Sequence, residues 1–388
     1  MKNCRLCGSK LNLVYSLGNQ PLANNLNLKS FKVSKKFRLN LCECSKCQTL
    51  QHDINIDLNS LYSKYYYSSS VSKKVLENAK ELFRLYSVKF KNIKNPKLLE
   101  IGCNDGYLLQ FFMKNFDVLG IDPSKNMTKI AKSKNIKVIN DFFTFKSANM
   151  IKKKYGKFDL IIANNVFAHN PNMISIMRSV RRLISDNGLV SIEVQDGEQL
   201  LKDGLFDMIY HEHFYYFEKN TFKNLLALTG FKIIKSEKIN LHGKSLRILF
   251  QKSKIEEINY FKRKNNLISN FKNKMDIHNE NVNKFFKKNK YSRIVIYGAA
   301  AKTTVFINYF RLDHNNIEYV VDDTPIKQNK YIPNTKIKIF SSDYIKNTKP
   351  NFIIISAWNY GYDIYSKIKY TKKWGCKILV FFPNLKYF

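Results

Sequence analysis

Residues 98–109, Leu-Leu-Glu-Ile-Gly-Cys-Asn-Asp-Gly-Tyr-Leu-Leu, constrain the fold of this chain more than any other stretch. An apolar run ends in an acid, a glycine-rich turn follows, and a segment of helical period begins. That order builds the crevice of an α/β fold at the carboxyl edge of its first parallel strand. Gly102 and Gly106 let the backbone approach a ligand closely, and Glu100 and Asp105 set carboxylates beside it. Carboxylates disfavour a pyrophosphate, which is held by backbone N–H groups and cations. They suit a nucleoside bearing positive charge, such as S-adenosylmethionine with its sulfonium and amino groups. The next apolar run, Leu-Gly-Ile-Asp, ends at Asp122, where an acid can hold ribose hydroxyls. An ordinary βα turn shares the glycines; the acid at the second strand end favours the nucleoside site.

The pattern around this stretch alternates. Residues 73–94 read as a helix with Leu76, Leu82, Leu85 and Val88 among its apolar positions. Short apolar runs recur at 97–101, 116–121, 136–139, 158–162 and 188–194, separated by helical segments, which predicts a doubly wound parallel sheet. Asp141 follows the third run, within expected reach of an adenine amine, and Asn164 and Asn165 end the fourth. Two clusters lie past the fourth and fifth strand ends: Val166-Phe-Ala-His169-Asn-Pro171, and Asp207-Met-Ile-Tyr210-His211-Glu212-His213. Histidine is the commonest general base near neutrality. The rival reading, a metal site, lacks the His-Glu-x-x-His spacing, and a buried structural histidine pair is the other alternative.

Residues 255–290 have helical spacing and predict a connecting helix. Ser-Arg-Ile-Val-Ile-Tyr-Gly298-Ala-Ala-Ala-Lys302-Thr303 then starts a second strand–turn–helix unit, with strands expected near 317–321, 352–356 and 377–381. Lys302 and Thr303 replace the carboxylates here, so this turn suits phosphate at a helix N-terminus. The glycine spacing of a Walker A loop is absent.

Five of the seven cysteines fall in the first 47 residues. Cys4-Arg-Leu-Cys7 and Cys44-Ser-Lys-Cys47 form two C-x-x-C knuckles, a spacing that lets four thiolates surround one structural zinc. Cys42 pairs less well in spacing. The segment 61–72, with its tyrosine and serine clusters, reads as a linker. The start Met-Lys-Asn-Cys-Arg has no apolar core of a signal peptide, and no apolar run is long enough to span a membrane, so a cytoplasmic protein is expected. Lys plus Arg number 66 against 30 Asp plus Glu, a net charge of +36. The lysines are spread over almost the whole length rather than gathered in a stripe, so no nucleic-acid partner is expected.

Together these motifs resemble the S-adenosylmethionine-dependent C-methyltransferases that act on nucleotide-linked 4-keto-deoxysugars. The resemblance spans nearly the whole chain: the four-cysteine module, the tyrosine–serine segment, Glu-Ile-Gly-Cys-Asn-Asp-Gly, Tyr-His-Glu-His and Gly-Ala-Ala-Ala-Lys. It implies a zinc-binding module over 1–72, a Rossmann-like methyltransferase domain over 73–254, and a second Rossmann-like α/β domain over 255–388 that helps hold a nucleotide sugar, of dTDP type. It also implies a donor site of Glu100, Gly102, Asn104, Asp105, Gly106, Asp122, Asp141 and Asn164. His213 would be the base, with Tyr210, Glu212, His169 and a tyrosine of 65–67 around the sugar. Tyr65 fits the motif's first tyrosine best; Tyr67, Lys302 and Thr303 are the other substrate contacts it suggests. The chain departs from the family pattern at Asn329 and Asn334, where glycines are usual; asparagine tolerates left-handed angles. A monomer or homodimer is expected. Three other readings compete: an RNA or other O- or N-methyltransferase, a non-catalytic nucleotide-sugar-binding protein, and a nicotinamide dehydrogenase. The last is weakened by the missing dinucleotide fingerprint.

Overall fold

The structure is a computed structural model that describes residues 2–29, 34–62, 68–241, 243–257, 263 and 266–388. Three sheets organise the chain. At the N-terminus, β1 (Leu11–Pro21), β2 (Lys36–Cys44) and β3 (Leu50–Gln51) run antiparallel in sequence order. None of these was apparent from the cysteine spacing.

The central sheet holds β4 (Lys97–Ile101), β5 (Asp117–Ile121), β6 (Val138–Ile139), β7 (Phe158–Asn164) and β8 (Ile184–Gln195), all parallel. The short strand β9 (Tyr215–Tyr216) leaves this sheet and pairs with β3, completing the N-terminal sheet. The hairpin β10 (Phe231–Ile239) and β11 (Ser245–Lys252) adds antiparallel to β8. The resulting order is β10-β11-β8-β7-β4-β5-β6, so successive crossovers diverge on either side of β4. The crevice at this reversal, beyond the carboxyl ends of β4 and β7, is where such sheets bind ligands. Helices cover both faces, which is why the strands are nearly continuous apolar runs: Leu98, Leu99, Leu160, Ile161 and Ile162 are fully buried.

The C-terminal sheet repeats the plan. β12 (Ile294–Tyr297), β13 (Tyr319–Val321), β14 (Ile339–Phe340), β15 (Phe352–Ile355) and β16 (Lys377–Val380) are parallel, with β17 (Lys386–Tyr387) antiparallel at one edge. Their order β14-β13-β12-β15-β16-β17 reverses between β12 and β15. Asn329 and Asn334 both adopt left-handed angles, φ 61° and 60°, so the turns persist without glycine.

The helix predicted over 73–94 ends at Lys89, where the capping Phe90 N donates back to Tyr86 O, and Asn95 then turns left-handed (φ 54°) ahead of Pro96. Its buried face is Val75, Asn78, Ala79, Leu82 and Tyr86, while Leu85 and Val88 are exposed. The connecting helix is confined to Leu267–Lys288. One apolar core joins Val14, Leu39 and Leu41 of the N-terminal sheet to Leu200, Leu201 and Phe206, to Phe271 and Met275, and to Ile296 and Val320. The N-terminal sheet thus packs against the C-terminal half of the chain. Among the described residues no helix is long and apolar enough to cross a membrane.

Candidate active site and zinc centre

One cavity of about 860 Å³ runs from the crevice of the central sheet to the turn that follows β12. On the central-sheet side, the loop after β4 carries left-handed angles at Gly102 (72°), Asn104 (48°) and Gly106 (74°). A Cβ on Gly102 would lie 2.7 Å from Val166 Cγ2, so only glycine leaves the cradle open. Asp122 sits on the wall with Oδ2 accepting from Asn104 N (2.9 Å) and Oδ1 from Ser124 N (2.8 Å); burial pushes its pKa up to about 6. Asn164 donates to Tyr107 Oη (3.3 Å), and its Oδ1 has no partner among the described residues. This set fits a nucleoside with ribose hydroxyls at Asp122 and further polar groups at Asn164.

The other residues expected there have different posts. Glu100 is buried off the wall with both carboxylate oxygens unpartnered among the described residues, and burial, then Asp122 and Asp105, hold it well above the usual carboxylate range. Asp105 turns toward the serine segment: its Oδ2 accepts from Ser68 Oγ (2.6 Å), Ser70 N (3.1 Å) and Ser70 Oγ (2.5 Å). Asn104 Oδ1 accepts from Ser69 N (3.0 Å). The stretch read as a linker is therefore bolted to the loop, a tie between segments remote in sequence. Gly106 packs against Ile136 and Ala131. Asp141 is exposed and accepts from its neighbour Phe142 N (2.7 Å); Phe142 and Phe143 form the wall instead.

His169, Tyr210 and His213 meet midway along the cavity. Ring centroids lie 4.0 Å apart for Tyr210 and His213 and 5.1 Å apart for His169 and His213, and Tyr62 stacks on His169 at 5.9 Å. His213 Nδ1 is 3.1 Å from the Met208 carbonyl oxygen. A carbonyl only accepts, so Nδ1 carries a proton, and in the neutral tautomer the lone pair lies on Nε2. Burial pushes the His169 pKa down to about 4, so that ring is neutral at pH 7. Glu212, expected around the sugar, accepts from Asn24 Nδ2 (3.1 Å) and is raised to about 7 by burial. The Met208 carbonyl orients the His213 ring. Tyr65 and Tyr67 lie outside the described residues; Tyr62 and Ser68 on either side line the cavity.

Beyond the histidines the wall passes to the C-terminal sheet. Asp322 repeats the bonding of Asp122: Oδ2 accepts from Ala299 N (2.8 Å) and Oδ1 from Thr324 N (2.9 Å). Lys302 lies on the wall with Nζ 2.7 Å from Asn359 Oδ1 and 4.4 Å from the Trp358 ring centroid. Burial lowers its pKa to about 8, and Asp207 opposes the shift. Asp207 in turn accepts from Trp358 Nε1 (2.7 Å). Thr303 does not reach the cavity. Its Oγ1 donates to Gly298 O (2.5 Å) and lies 2.6 Å from Ser356 Oγ, locking the turn internally. Sequence reading missed Tyr107, Gln195, Lys327, Asn359 and Tyr360, all on the wall. Only Gln195, a polar residue closing an apolar strand, carried a local signal.

At the far side of the N-terminal sheet, the thiols of Cys4, Cys7, Cys44 and Cys47 all lie within 4.8 Å of one another. Cys4 and Cys47 sulfurs are 3.6 Å apart and Cys7 and Cys44 sulfurs 3.4 Å. Sulfurs about 2.3 Å from a tetrahedral zinc stand roughly 3.8 Å apart, so the cluster fits the metal closely. Gln51 Nε2 donates to Cys4 Sγ (3.0 Å), and the amides of Lys46 and Cys47 to Cys44 Sγ (3.4 Å each), as thiolate ligands require. Cys42 is buried on β2 opposite Leu13 and Gln51 and takes no part.

Three family models match in order along the chain: a zinc-binding domain over residues 4–62, a methyltransferase domain over 71–236, and a C-methyltransferase C-terminal domain over 240–383. The C-methyltransferase NovU of Streptomyces niveus is 26% identical over 403 aligned residues, covering 98% of this chain and 95% of that protein. A ubiquinone biosynthesis O-methyltransferase of Pelagibacter ubique is 31% identical over 126 residues, 32% of this chain and 51% of that one. Among solved structures, magnesium protoporphyrin IX methyltransferase of Synechocystis PCC 6803 with bound SAM is 13% identical, covers 52% of this chain and 86% of that one, and has a TM-score of 0.36. With the zinc-binding, methyltransferase and C-methyltransferase C-terminal models matched in this order along most of the chain, and a four-thiol zinc centre in the first, the chain belongs to the S-adenosylmethionine-dependent C-methyltransferases.

Proposed function

We propose that the protein methylates a carbon next to the ketone of a nucleotide-linked 4-keto-deoxysugar, with His213 as the base. The observation that carries this reading is the single cavity: a donor crevice at one end, the His169–Tyr210–His213 cluster in the middle, and the buried cation Lys302 at the other. A volume of about 860 Å³ is near the top of the range for small-molecule sites and suits two ligands held end to end.

S-adenosylmethionine bound at Asp122 and Asn164 supplies an electrophilic methyl. His213 Nε2, its partner nitrogen committed to the Met208 carbonyl, accepts the proton from the carbon beside the ketone. The charge left behind moves to the ketone oxygen, which Tyr210 and neutral His169 stabilise as hydrogen-bond donors. Lys302, on the same wall, offers its positive charge to the diphosphate of the acceptor. Apolar walls around the cluster, including Met208, Phe142 and Val166, keep bulk water from the developing carbanion.

The test is incubation with methyl-labelled S-adenosylmethionine and a panel of nucleotide-linked 4-keto sugars in deuterated solvent, followed by mass spectrometry. The expected product gains one methyl on carbon, with deuterium exchange beside the ketone. Transfer to oxygen or nitrogen, or to none of the sugars, would refute the reading.

A further inference from the structure

Gln195 closes β8 at the cavity wall, only 7% exposed, and neither Nε2 nor Oε1 has a hydrogen-bond partner among the described residues. A buried carboxamide with both ends unmet is destabilising, so the sequence retains it against stability. An apolar residue at the end of this apolar strand would remove that cost.

Its position is defined by the backbone. β7 and β8 pair through Asn164 and Glu193, so Gln195 projects beyond the strand end that carries Asn164 and Asn165. Two bonds close around it: Gly197 N donates to Phe217 O (2.9 Å), and Phe214 N to Ala168 O (2.8 Å). The end of β8 is thereby held among the turn bearing His169, the segment bearing His213, and the cavity that both line. The same cavity is lined by Ser72 and Lys74, which tie the start of the helix Lys73–Lys89 to Tyr360 and Asp363 of the C-terminal half. Gln195 shares this wall with His213 and Lys302.

The chemistry of a carboxamide narrows what it reads. A phosphate offers only acceptors and would leave Oε1 unsatisfied. A ketone with a hydroxyl on the adjacent carbon offers one acceptor and one donor side by side, matching Nε2–H and Oε1. We propose that Gln195 is an acceptor-binding and specificity-determining residue that grips such a hydroxyketone. Nε2 donates to the ketone oxygen, and Oε1 accepts from the neighbouring hydroxyl. This rests on the ketone-acceptor reading above.

The experiment compares wild type, Gln195→Met and Gln195→Glu on a nucleotide-linked 4-keto sugar bearing that hydroxyl and on its deoxy analogue. S-adenosylmethionine affinity, measured by calorimetry, reports on folding. Wild type should prefer the hydroxylated sugar by about 10²-fold or more in kcat/KM, since a site built to bond a hydroxyl rejects the analogue lacking it. Gln195→Met should bring the preference to within roughly threefold while donor affinity stays unchanged, because neither bond survives. Gln195→Glu retains an acceptor, so it should keep most of the preference but lose kcat through the missing donor. An unchanged preference in Gln195→Met overturns the proposal while leaving the ketone reading intact. If Gln195→Met no longer binds donor, Gln195→Glu decides, an unaltered kcat counting against the proposal. Failure of wild type on both sugars overturns the ketone reading itself, and this inference with it.

Discussion

At the level of single side chains, the placement of one proton decides how His213 can act. The Met208 carbonyl fixes it on Nδ1, which leaves the lone pair on Nε2. His213→Ala should leave donor affinity unchanged and lower methyl transfer by about 10²–10⁴-fold, the usual share of a general base; calorimetry and single-turnover rates check the two halves separately. Lys302 gives a pH signature of its own. Burial lowers its pKa to about 8, so its charge is present below pH 8 and is lost above it. Acceptor kcat/KM should therefore decline as pH rises through about 8, with donor binding unaffected. In Lys302→Arg, whose guanidinium stays charged, that limb should vanish from the profile; its survival would assign the limb elsewhere.

Two structural units of the same design, a strand, a glycine turn and a helix with an acid at the next strand end, face one cavity from opposite sides. The two strand–turn–helix units and Asp122 were legible in the sequence, because they are features of local order; Asp322 at the end of β13 and the shared cavity were not. The orientation of Asp105 and Thr303 was not: their partners, Ser68 and Ser70 in one case and Ser356 in the other, are far off in sequence. The partner of Glu212 was out of view for the same reason, since Asn24 comes from the N-terminal module. The hairpin β10–β11 shows how elements hold the two halves in place. Its turn residue Gly243 has φ 85°, and a Cβ there would lie 2.6 Å from Trp358 Cη2. Trp358 underlies Lys302 and bonds Asp207. Gly243→Ala should cost about 1–2 kcal/mol from the left-handed backbone alone and push the indole aside. Acceptor KM should then rise by roughly tenfold with donor affinity unaltered, the indole being coupled only to the acceptor side. An equal loss for both ligands would point to general unfolding.

Across the whole molecule, the zinc centre and His213, the proposed base, are joined through the N-terminal sheet although they occupy different sites. β3 begins three residues after Cys47 and pairs with β9, which begins two residues after His213. His52 Nε2 lies 3.1 Å from the His211 carbonyl oxygen, a second tie across the same boundary. A third runs to the connection before the C-terminal sheet. Arg263 is buried, donates to Gln48 O (2.6 Å) beside the knuckle, and pairs with Glu43 and Glu218. The donor crevice rests chiefly on the cores of the central sheet, one of which also takes in Leu22, Ile56, Leu61 and Tyr215. Metal binding at such a centre is itself folding free energy, so its loss should be felt along these ties and little elsewhere. Chelation, or Cys47→Ser, should lower Tm and strip hydrogen-exchange protection from Leu50, Gln51, Tyr215 and Tyr216. The amides of β4 and β5 should stay protected, and S-adenosylmethionine should still bind below the new Tm. Uniform loss of protection over all three sheets would mean that the metal stabilises the chain as one unit. No change at Tyr215 and Tyr216 would mean that the base is held by the central sheet alone.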